Sequence, residues 1–368
     1  MRVLAFGTYD VAKHPRVQVL IDGLREHGHD VRELNRPLGL STADKVKALR
    51  DPRALPVAAL TVVRRWASLV AGSRHVRGPR RPQAVLVGYL GHLDVVLARL
   101  LFPRATVVLD HLIFAADTAR DRGTPQGLRT RVLGALDRLA IRCADVVVVD
   151  TEEHRGLVPP KYRDRAVVVD VGAPAPWFAA ADAPRGERTD AALSVVFFGL
   201  FTPLQGTETV GRALRLLDER GVAVRTTLVG DGQDADAVRR LVAGLPGVTW
   251  HSWVEATELP GLVASHDVCL GIFGTTEKAQ RVVPNKVYQG AAAGCAVVTS
   301  DTPPQRRVLG DDALLVPAGD AGALADALAS LAADPDRLAE LGARSRARSV
   351  GRFTPAAVTA GLDEALTR

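Results

Sequence analysis

Short apolar runs alternate with helix-period segments along almost the whole chain, and this alternation limits the possible folds more than any other feature. In the first half the runs are VLAFG (3–7), AVLVGY (84–89), TVVLD (106–110), DVVVVD (145–150) and AVVVDV (166–171). Segments with helical spacing fall between them, such as VQVLIDGLREHG (17–28) and RTRVLGALDRLAIRC (129–143). Strands that are apolar on both sides need cover on both faces, so the pattern predicts a parallel sheet between layers of helix. Residues 172–192 carry Pro, Ala and charge without a period, and read as a linker. The alternation then restarts with SVVFFG (194–199), VRTTLVG (224–230), VTWHSWV (248–254), DVCLGIF (267–273), AVVTS (296–300) and ALLVP (313–317). Helices are expected near 207–219, 233–244, 256–264, 284–293, 320–333, 335–350 and 354–367. The expected class is α/β: two Rossmann-like, doubly wound parallel-sheet domains facing a central cleft. Ligands belong at the carboxyl ends of the strands that face it.

A chain of 368 residues buries enough surface for two such cores. The net charge of +6 favours acidic ligands. Aromatic residues make up only 5%, and no helix-turn-helix, zinc-finger or RNP pattern occurs, which argues against a nucleic-acid partner. Cys143, Cys269 and Cys295 form no CxxC pair and fit buried thiols in a reducing compartment. The chain opens on a strand without a basic-then-apolar leader, and no long uncharged apolar run follows. A cytoplasmic protein without a membrane span is therefore expected.

The sharpest chemical signal is GIFGTTEKAQRVVPNKVYQGAAAG (271–294). It sets Lys278, Arg281 and Lys286 on a loop and helix start just after a buried strand. The chain has six lysines, and two of them fall within these nine residues, so the clustering is specific. A strand, a basic loop and a Pro-started helix together can receive a phosphate, although a solvated basic turn has the same composition. Asn285 and Gln289 are four apart on the helix, and their amides can bond ribose or sugar hydroxyls. In FFGLFTPLQGTETV (197–210), Gly206 allows close backbone approach and Thr207 is a good N-cap. That stretch reads either as an anion cradle or as a plain capped helix. In VGDGQ (229–233), Gly230 and Gly232 provide a tight turn. The HSWV loop, with Trp253 and Val254, can pair its backbone with a base edge, or Trp253 can be a core aromatic. Asp234/Asp236 and Asp334/Asp336 have metal-like spacing, but both pairs open helices, where Asp is a routine cap.

These motifs together resemble a GT-B glycosyltransferase of the retaining type found in glycosyltransferase family four. The resemblance covers nearly the whole chain. It rests on the strand order, VGAPAPWF (171–178), FFGLFTPLQG (197–206), VGDGQ, HSWVEATELPGLVASHDVCLGIF (251–273) and PNKVYQGAAAGCAVVTSDTP (284–303). It implies an acceptor-binding domain at 1–175, a linker at 176–192 and a nucleotide-sugar domain at 193–350. It also implies a C-terminal helix at 351–368 that crosses back to the first domain. The implied activity is metal-independent transfer of a hexosyl group, with retention, from a nucleotide diphosphate sugar to a hydroxyl acceptor. No other cofactor is implied. The acceptor class stays open between a cell-envelope saccharide, a lipid-linked saccharide and a small natural product.

Four positions depart from the family pattern. Its Gly-Arg and Lys-Gly, which hold the donor diphosphate, read Gly199-Leu200 and Gln205-Gly206 here. Its two glutamates, separated by seven residues, align with Arg281 and Gln289. A compensated site follows from this: Lys278, Arg281 and Lys286 replace the missing cations, and Gln289 holds the ribose. A set of related bacterial sugar transferases shares the PNK variant. The departures also leave room for a non-catalytic nucleotide-sugar-binding or scaffold subunit, or for a GT-B sugar epimerase.

By the same resemblance, GTYDVAKHPR (7–16) forms the acceptor side, with Gly7 and Thr8 at a strand end and His14 and Arg16 following. Arg16 would meet a phosphate or an acidic acceptor, and His14 is otherwise an exposed loop residue. VVLDHLIFAADT (107–118) places Asp110 and His111 at another strand end. Related enzymes keep a His there, near the anomeric carbon, so His111 is the candidate group for orienting acceptor or sugar. Asp110 and Asp117 would orient it or bind acceptor hydroxyls, and the competing role of His111 is structural. Residues 44–81 hold ten Lys or Arg against two Asp. Within them, 54–81 carry Trp66 and paired arginines, which suits peripheral contact with an anionic inner membrane face, or a solvated helix with a basic tail.

Overall fold

The computed structural model describes residues 1–11, 14–39, 55–76, 78, 81–183 and 192–368. The first domain runs β1 (Arg2–Gly7), α1 (Arg16–Glu26), β2 (Asp30–Asn35), α2 (Leu55–Ser73), β3 (Ala84–Val87) and α3 (Asp94–Leu101). It continues with β4 (Thr106–Asp110), α4 (Ala115–Asp121), α5 (Leu128–Cys143), β5 (Val146–Val149), α6 (Glu152–Leu157) and β6 (Ala166–Val168). The second domain is entered by α7 (Ala175–Asp182) and runs β7 (Leu193–Phe198), α8 (Thr207–Glu219), β8 (Val224–Val229), α9 (Ala235–Val242) and β9 (Val248–His251). Next come α10 (Leu259–Ala264), β10 (Val268–Leu270), α11 (Asn285–Ala292), β11 (Ala296–Ser300), α12 (Pro303–Leu309) and β12 (Leu314–Val316). The chain closes with α13 (Ala321–Ala333), α14 (Pro335–Arg352) and α15 (Pro355–Thr367).

Both sheets have six strands, ordered β2-β1-β3-β4-β5-β6 and β12-β11-β10-β7-β8-β9, and every pairing is parallel. Strand order reverses between β1 and β3 in the first sheet and between β7 and β10 in the second. In open parallel sheets a crevice opens at such a reversal, beyond the carboxyl ends of the strands. The loops after β7 and β10, which carry 199–206 and 271–284, therefore flank the second domain's crevice.

Alternation along the strands divides each domain into two apolar layers. In the first domain Leu4, Phe6, Val85, Val87, Val107 and Leu109 face α2, α3 and α5. Val3, Ala5, Leu86, Val108 and Val148 face α1 and α15. The last helix thus lies on the first domain: the His29 ring bonds Asp363 Oδ1 at 2.7 Å, and the Ala356 N–H donates to Glu26 at 3.1 Å. Gly23 makes this contact possible, because a Cβ there would lie 2.3 Å from the Pro355 carbonyl oxygen.

Two stretches differ from the sequence expectation. Part of the expected linker folds as α7, and Trp177 stacks on Phe198 with ring centres 5.5 Å apart, so this helix is second-domain cover. The rest of that linker, 184–191, lies outside the described residues. DVRELN (30–35) forms β2, which was not anticipated. It sits at the sheet edge and buries only Val31 and Leu34, so it lacks the apolar run of an inner strand. Among the described residues no helix is long and apolar enough to cross a membrane.

Candidate active site

The loops at the second domain's crevice pack backbone to backbone. A Cβ on Gly230 would lie 1.9 Å from the Gly199 carbonyl oxygen, and one on Gly206 would lie 2.3 Å from the Phe273 carbonyl carbon. Gly206 (φ 63°) therefore serves close packing of the 199–206 loop on 273–274, which the Phe273 N–H tightens by donating to the Gln205 carbonyl at 3.0 Å. Thr207, expected as an N-cap, is the first helical residue instead. Gly206 occupies the cap in a left-handed conformation, and the Thr207 hydroxyl is buried without a partner.

Lys286 enters this packing from α11. Pro284 holds the cap position, so the helix starts at Asn285 and aims the next side chain into the crevice floor. The Lys286 ammonium donates to Gln205 Oε1 at 2.6 Å and lies 3.5 Å from the centre of the Phe197 ring. A Cβ on Gly199 would come within 3.2 Å of it. Burial pushes its pKa well below the usual lysine value, and among the described residues no carboxylate pairs with it. Lys286 thus reaches the meeting point of Gly199-Leu200 and Gln205-Gly206, the two sites where the family pattern has cations.

Lys278 and Arg281 are engaged elsewhere. Lys278 Nζ donates to Thr118 at 2.7 Å, Arg281 pairs with Asp117 at 2.6 Å, and Thr276 donates to Asp121 at 2.6 Å. All three partners lie on α4, across the cleft. Burial lowers the Lys278 pKa, opposed by Asp121 and Asp117. Asp117, expected on the acceptor side, is thus the anchor of an interdomain pair. The structure brings only Lys286 of the three cations into contact with the 199–206 loop.

Gln289 is buried and Asn285 half-buried on α11, and neither side-chain amide has a hydrogen-bond partner among the described residues. Trp253 is 67% exposed and bonds Glu255, which removes the core alternative for it. Trp250 is the packed indole, stacked 4.6 Å from Phe201. The two differ in environment because β9 ends at His251, three residues earlier than the apolar pattern suggested. Val254 is half-buried against the second domain's core.

On the first domain's side, Gly7 (φ 144°) leaves room for the Asp94 carboxylate, which accepts from the Thr8 N–H and hydroxyl, both at 2.8 Å. Asp94, in the first turn of α3, was not singled out from the sequence. His14 stacks on Tyr89 at 3.7 Å and is not the exposed loop residue of the alternative reading. Arg16 and Asp110 are corrected together. They form a fully buried ion pair at 2.9 Å, and Arg16 also donates to the Val169 carbonyl. Both side chains are enclosed in the first domain's core, and Asp110 orients Arg16 where it was expected to orient His111.

His111 is 1% exposed, and neither ring nitrogen has a hydrogen-bond partner among the described residues. Burial pushes its pKa down to about 3, with help from neighbouring His92. Its ring lies 4.5 Å from Phe114 and 5.0 Å from His92. His92 bonds Asp137 at 2.9 Å, and Asp137 also accepts from the Ala115 and Ala116 N–H groups at the start of α4. His92, His111 and Asp137 each place a potential ligand atom within 4.8 Å of the others. Asp137 already accepts three hydrogen bonds, so a metal there would compete with the tether of α4. Of the spaced Asp pairs, Asp334 caps α14 and Asp236 pairs with Arg239. A cavity of about 380 Å³ between Asp150–Glu152, Arg307 and α15 includes none of the residues expected to bind the donor.

The neutral His111 has a measurable consequence. Its folded pKa lies below the unfolded value of 6.5, so its stabilising contribution is complete above pH 6.5 and is lost as pH falls toward about 3. His111→Gln should flatten the acid limb of stability by up to about 1.4 kcal/mol per pH unit in that window. Urea denaturation of both proteins across that range checks it.

Comparison with known proteins agrees with this architecture. Two facing Rossmann-like domains with a crossing C-terminal helix define the GT-B class. A sucrose-phosphate synthase from Thermosynechococcus elongatus superposes with a TM-score of 0.69 at 16% identity, covering 99% of this chain and 97% of that one. Anabaena HepE in complex with UDP-glucose gives 0.68 at 14%, covering 100% and 98%. A glycosyltransferase from Rickettsia africae gives 0.64 at 13%, covering 99% and 97%. At these identities the likeness is one of fold. No curated protein matches the chain. Residues 192–334, most of the second domain, match the family model described as glycosyl transferases group 1.

Proposed function

We propose that this chain is a retaining glycosyltransferase that moves a hexosyl group from a nucleotide diphosphate sugar to a hydroxyl acceptor without a metal. The observation that carries this reading is the buried Lys286 ammonium, set without a carboxylate partner where the loops after β7 and β10 meet. An uncompensated buried amine is costly in a protein with nothing to bind, and a diphosphate supplies the missing charge. The free N–H groups at the start of α11 add to the same field. Gln289, one turn on from Lys286, and the adjacent Asn285 offer amides unpaired among the described residues for ribose hydroxyls. HepE, a structural neighbour, was solved with UDP-glucose, which fits a donor of this class.

In this mechanism the diphosphate leaves against Lys286 and the helix start. The acceptor attacks from the face of departure, and a leaving phosphate oxygen takes its proton. His111, neutral and with both ring nitrogens unbonded, is suited to orient a hydroxyl and does not act as a base. Lys278 and Arg281 join the donor only if the cleft opens and releases them from α4.

Thermal denaturation with UDP, GDP, dTDP and ADP, followed by donor sugars on the best nucleotide, tests the proposal. One nucleotide at a hundredfold excess over its Kd should stabilise the protein by about 2.7 kcal/mol. Nucleotide stabilisation without transfer or donor hydrolysis would identify a binding subunit. Acceptor-independent conversion of the donor would identify an epimerase. No stabilisation by any nucleotide sinks the donor site.

A further inference from the structure

Helices α2, α3 and α5 lie side by side on one face of the first sheet, and their outer surface is unlike the rest of the molecule. Thirteen large apolar side chains are exposed among the described residues, and six of them are here: Leu60, Val63, Leu100, Leu128, Val132 and Leu139. Leu128 is 79% exposed and Leu100 is 73% exposed. Two more, Leu90 and Leu93, sit on the turn entering α3, and Leu90 holds a left-handed φ of 59° that leucine rarely adopts.

Among the described residues the unpaired charges on this face have one sign, and the exposed acid beside it, Asp145, is taken up by Arg99 of α3 at 2.6 Å. Arg64 and Arg65 on α2 and Arg129, Arg131, Arg138 and Arg142 on α5 are exposed, and none pairs with a described carboxylate. The sequence of α2 contains no acid, and the acids of α3 and α5, Asp94 and Asp137, are buried. Trp66, expected to join a membrane contact, is turned inward, where its indole N–H donates to Asp94 at 2.8 Å. The exposed leucines and valines take its place.

We infer that this three-helix face docks on an anionic lipid bilayer. Arginines alternating with protruding aliphatic side chains match a surface that is negative outside and apolar beneath. A second copy of the chain would set like charges against each other in a two-fold contact. A nucleic acid would leave the aliphatic side chains without a partner. The face ends at Leu90 and Leu93, beyond the carboxyl end of β3 and beside the first sheet's strand reversal, so docking would bring that reversal to the bilayer surface.

Flotation with vesicles of phosphatidylglycerol and phosphatidylcholine, against phosphatidylcholine alone, tests the inference without any nucleotide, so its outcome is separate from the donor-site proposal. The protein should float only with the anionic vesicles. Each arginine near such a surface contributes about a fivefold factor, so the triple variant Arg131→Glu, Arg138→Glu, Arg142→Glu should bind roughly a hundredfold or more weakly. The triple variant Arg240→Glu, Arg337→Glu, Arg368→Glu, which carries the same charge change elsewhere, should bind far better. Replacing Leu128, Val132 and Leu139 by serine should also weaken vesicle binding, with the melting temperature held. Absence of flotation by the unaltered protein overturns the inference. So does serine-variant binding equal to wild type, which would indicate an acidic macromolecule, or a dimer of the unaltered protein that the α5 charge variant abolishes, which would indicate self-association.

Discussion

Arg16→Met should destabilise the protein by about 3–5 kcal/mol, because it strands the Asp110 carboxylate in the first domain's core. Asp110 is 2% exposed, and its one side-chain partner among the described residues is the Arg16 guanidinium at 2.9 Å. Burial already raises the Asp110 pKa and the nearby Arg16 charge opposes that rise, so loss of Arg16 leaves a carboxyl that must protonate or open the core. The double variant Arg16→Met, Asp110→Leu should recover much of the loss, since a buried ion pair is often no better than apolar side chains of the same volume. Urea denaturation of wild type, single and double variants measures this. The same double variant decides the role of Asp110. Retained turnover would make the pair structural, as the geometry indicates. Loss of turnover in a stable double variant would return Asp110 to the reaction.

Lys286→Met should act in the opposite sense on stability and strongly on binding. The ligand-free protein should be no less stable, because a buried amine without a carboxylate partner is replaced by an apolar side chain of similar length. Nucleotide diphosphate affinity should fall by about 1.5–3 kcal/mol, or roughly 10- to 150-fold. Calorimetric titration in parallel with melting curves would show both effects. Burial lowers the Lys286 pKa in the free protein, and a bound diphosphate would raise it, so binding takes up a proton. Affinity of the unaltered protein should therefore fall as pH rises through that window, and the methionine variant should lose this dependence. Equal affinity in both proteins would remove Lys286 from the donor site.

The layered fold was legible because inner parallel strands announce themselves: VVVV at 146–149 and LSVVFF at 193–198 are buried at every position. The edge strand β2 was not, since DVRELN buries two residues and carries no run. The PNK segment stood out in the sequence through Pro284 and the clustered cations, and the structure places it as a helix start beside the crevice. Which cation would serve it was not. Lys278, Arg281 and Lys286 are spaced three, five and eight residues apart, and only folding sends two of them across to α4 and one beneath Gly199. Asp94, His92 and Asp137 escaped notice for a related reason. Each acts on a residue distant in sequence, and Asp137 reaches His92 over 45 positions. A loop length signals where a ligand can sit, whereas the identity of a buried side chain's partner is set by packing between elements.

The position of α15 bears on how the molecule is made. Val358, Leu362 and Leu366 belong to the same apolar layer as Val3, Ala5 and Val17. During synthesis the first domain emerges early, yet one side of its sheet is covered by α1 alone until α15 has been made. The amino-terminal half thus completes its core only with a segment made more than three hundred residues later, and loss of α15 would open the first domain while leaving the second domain's own layers in place.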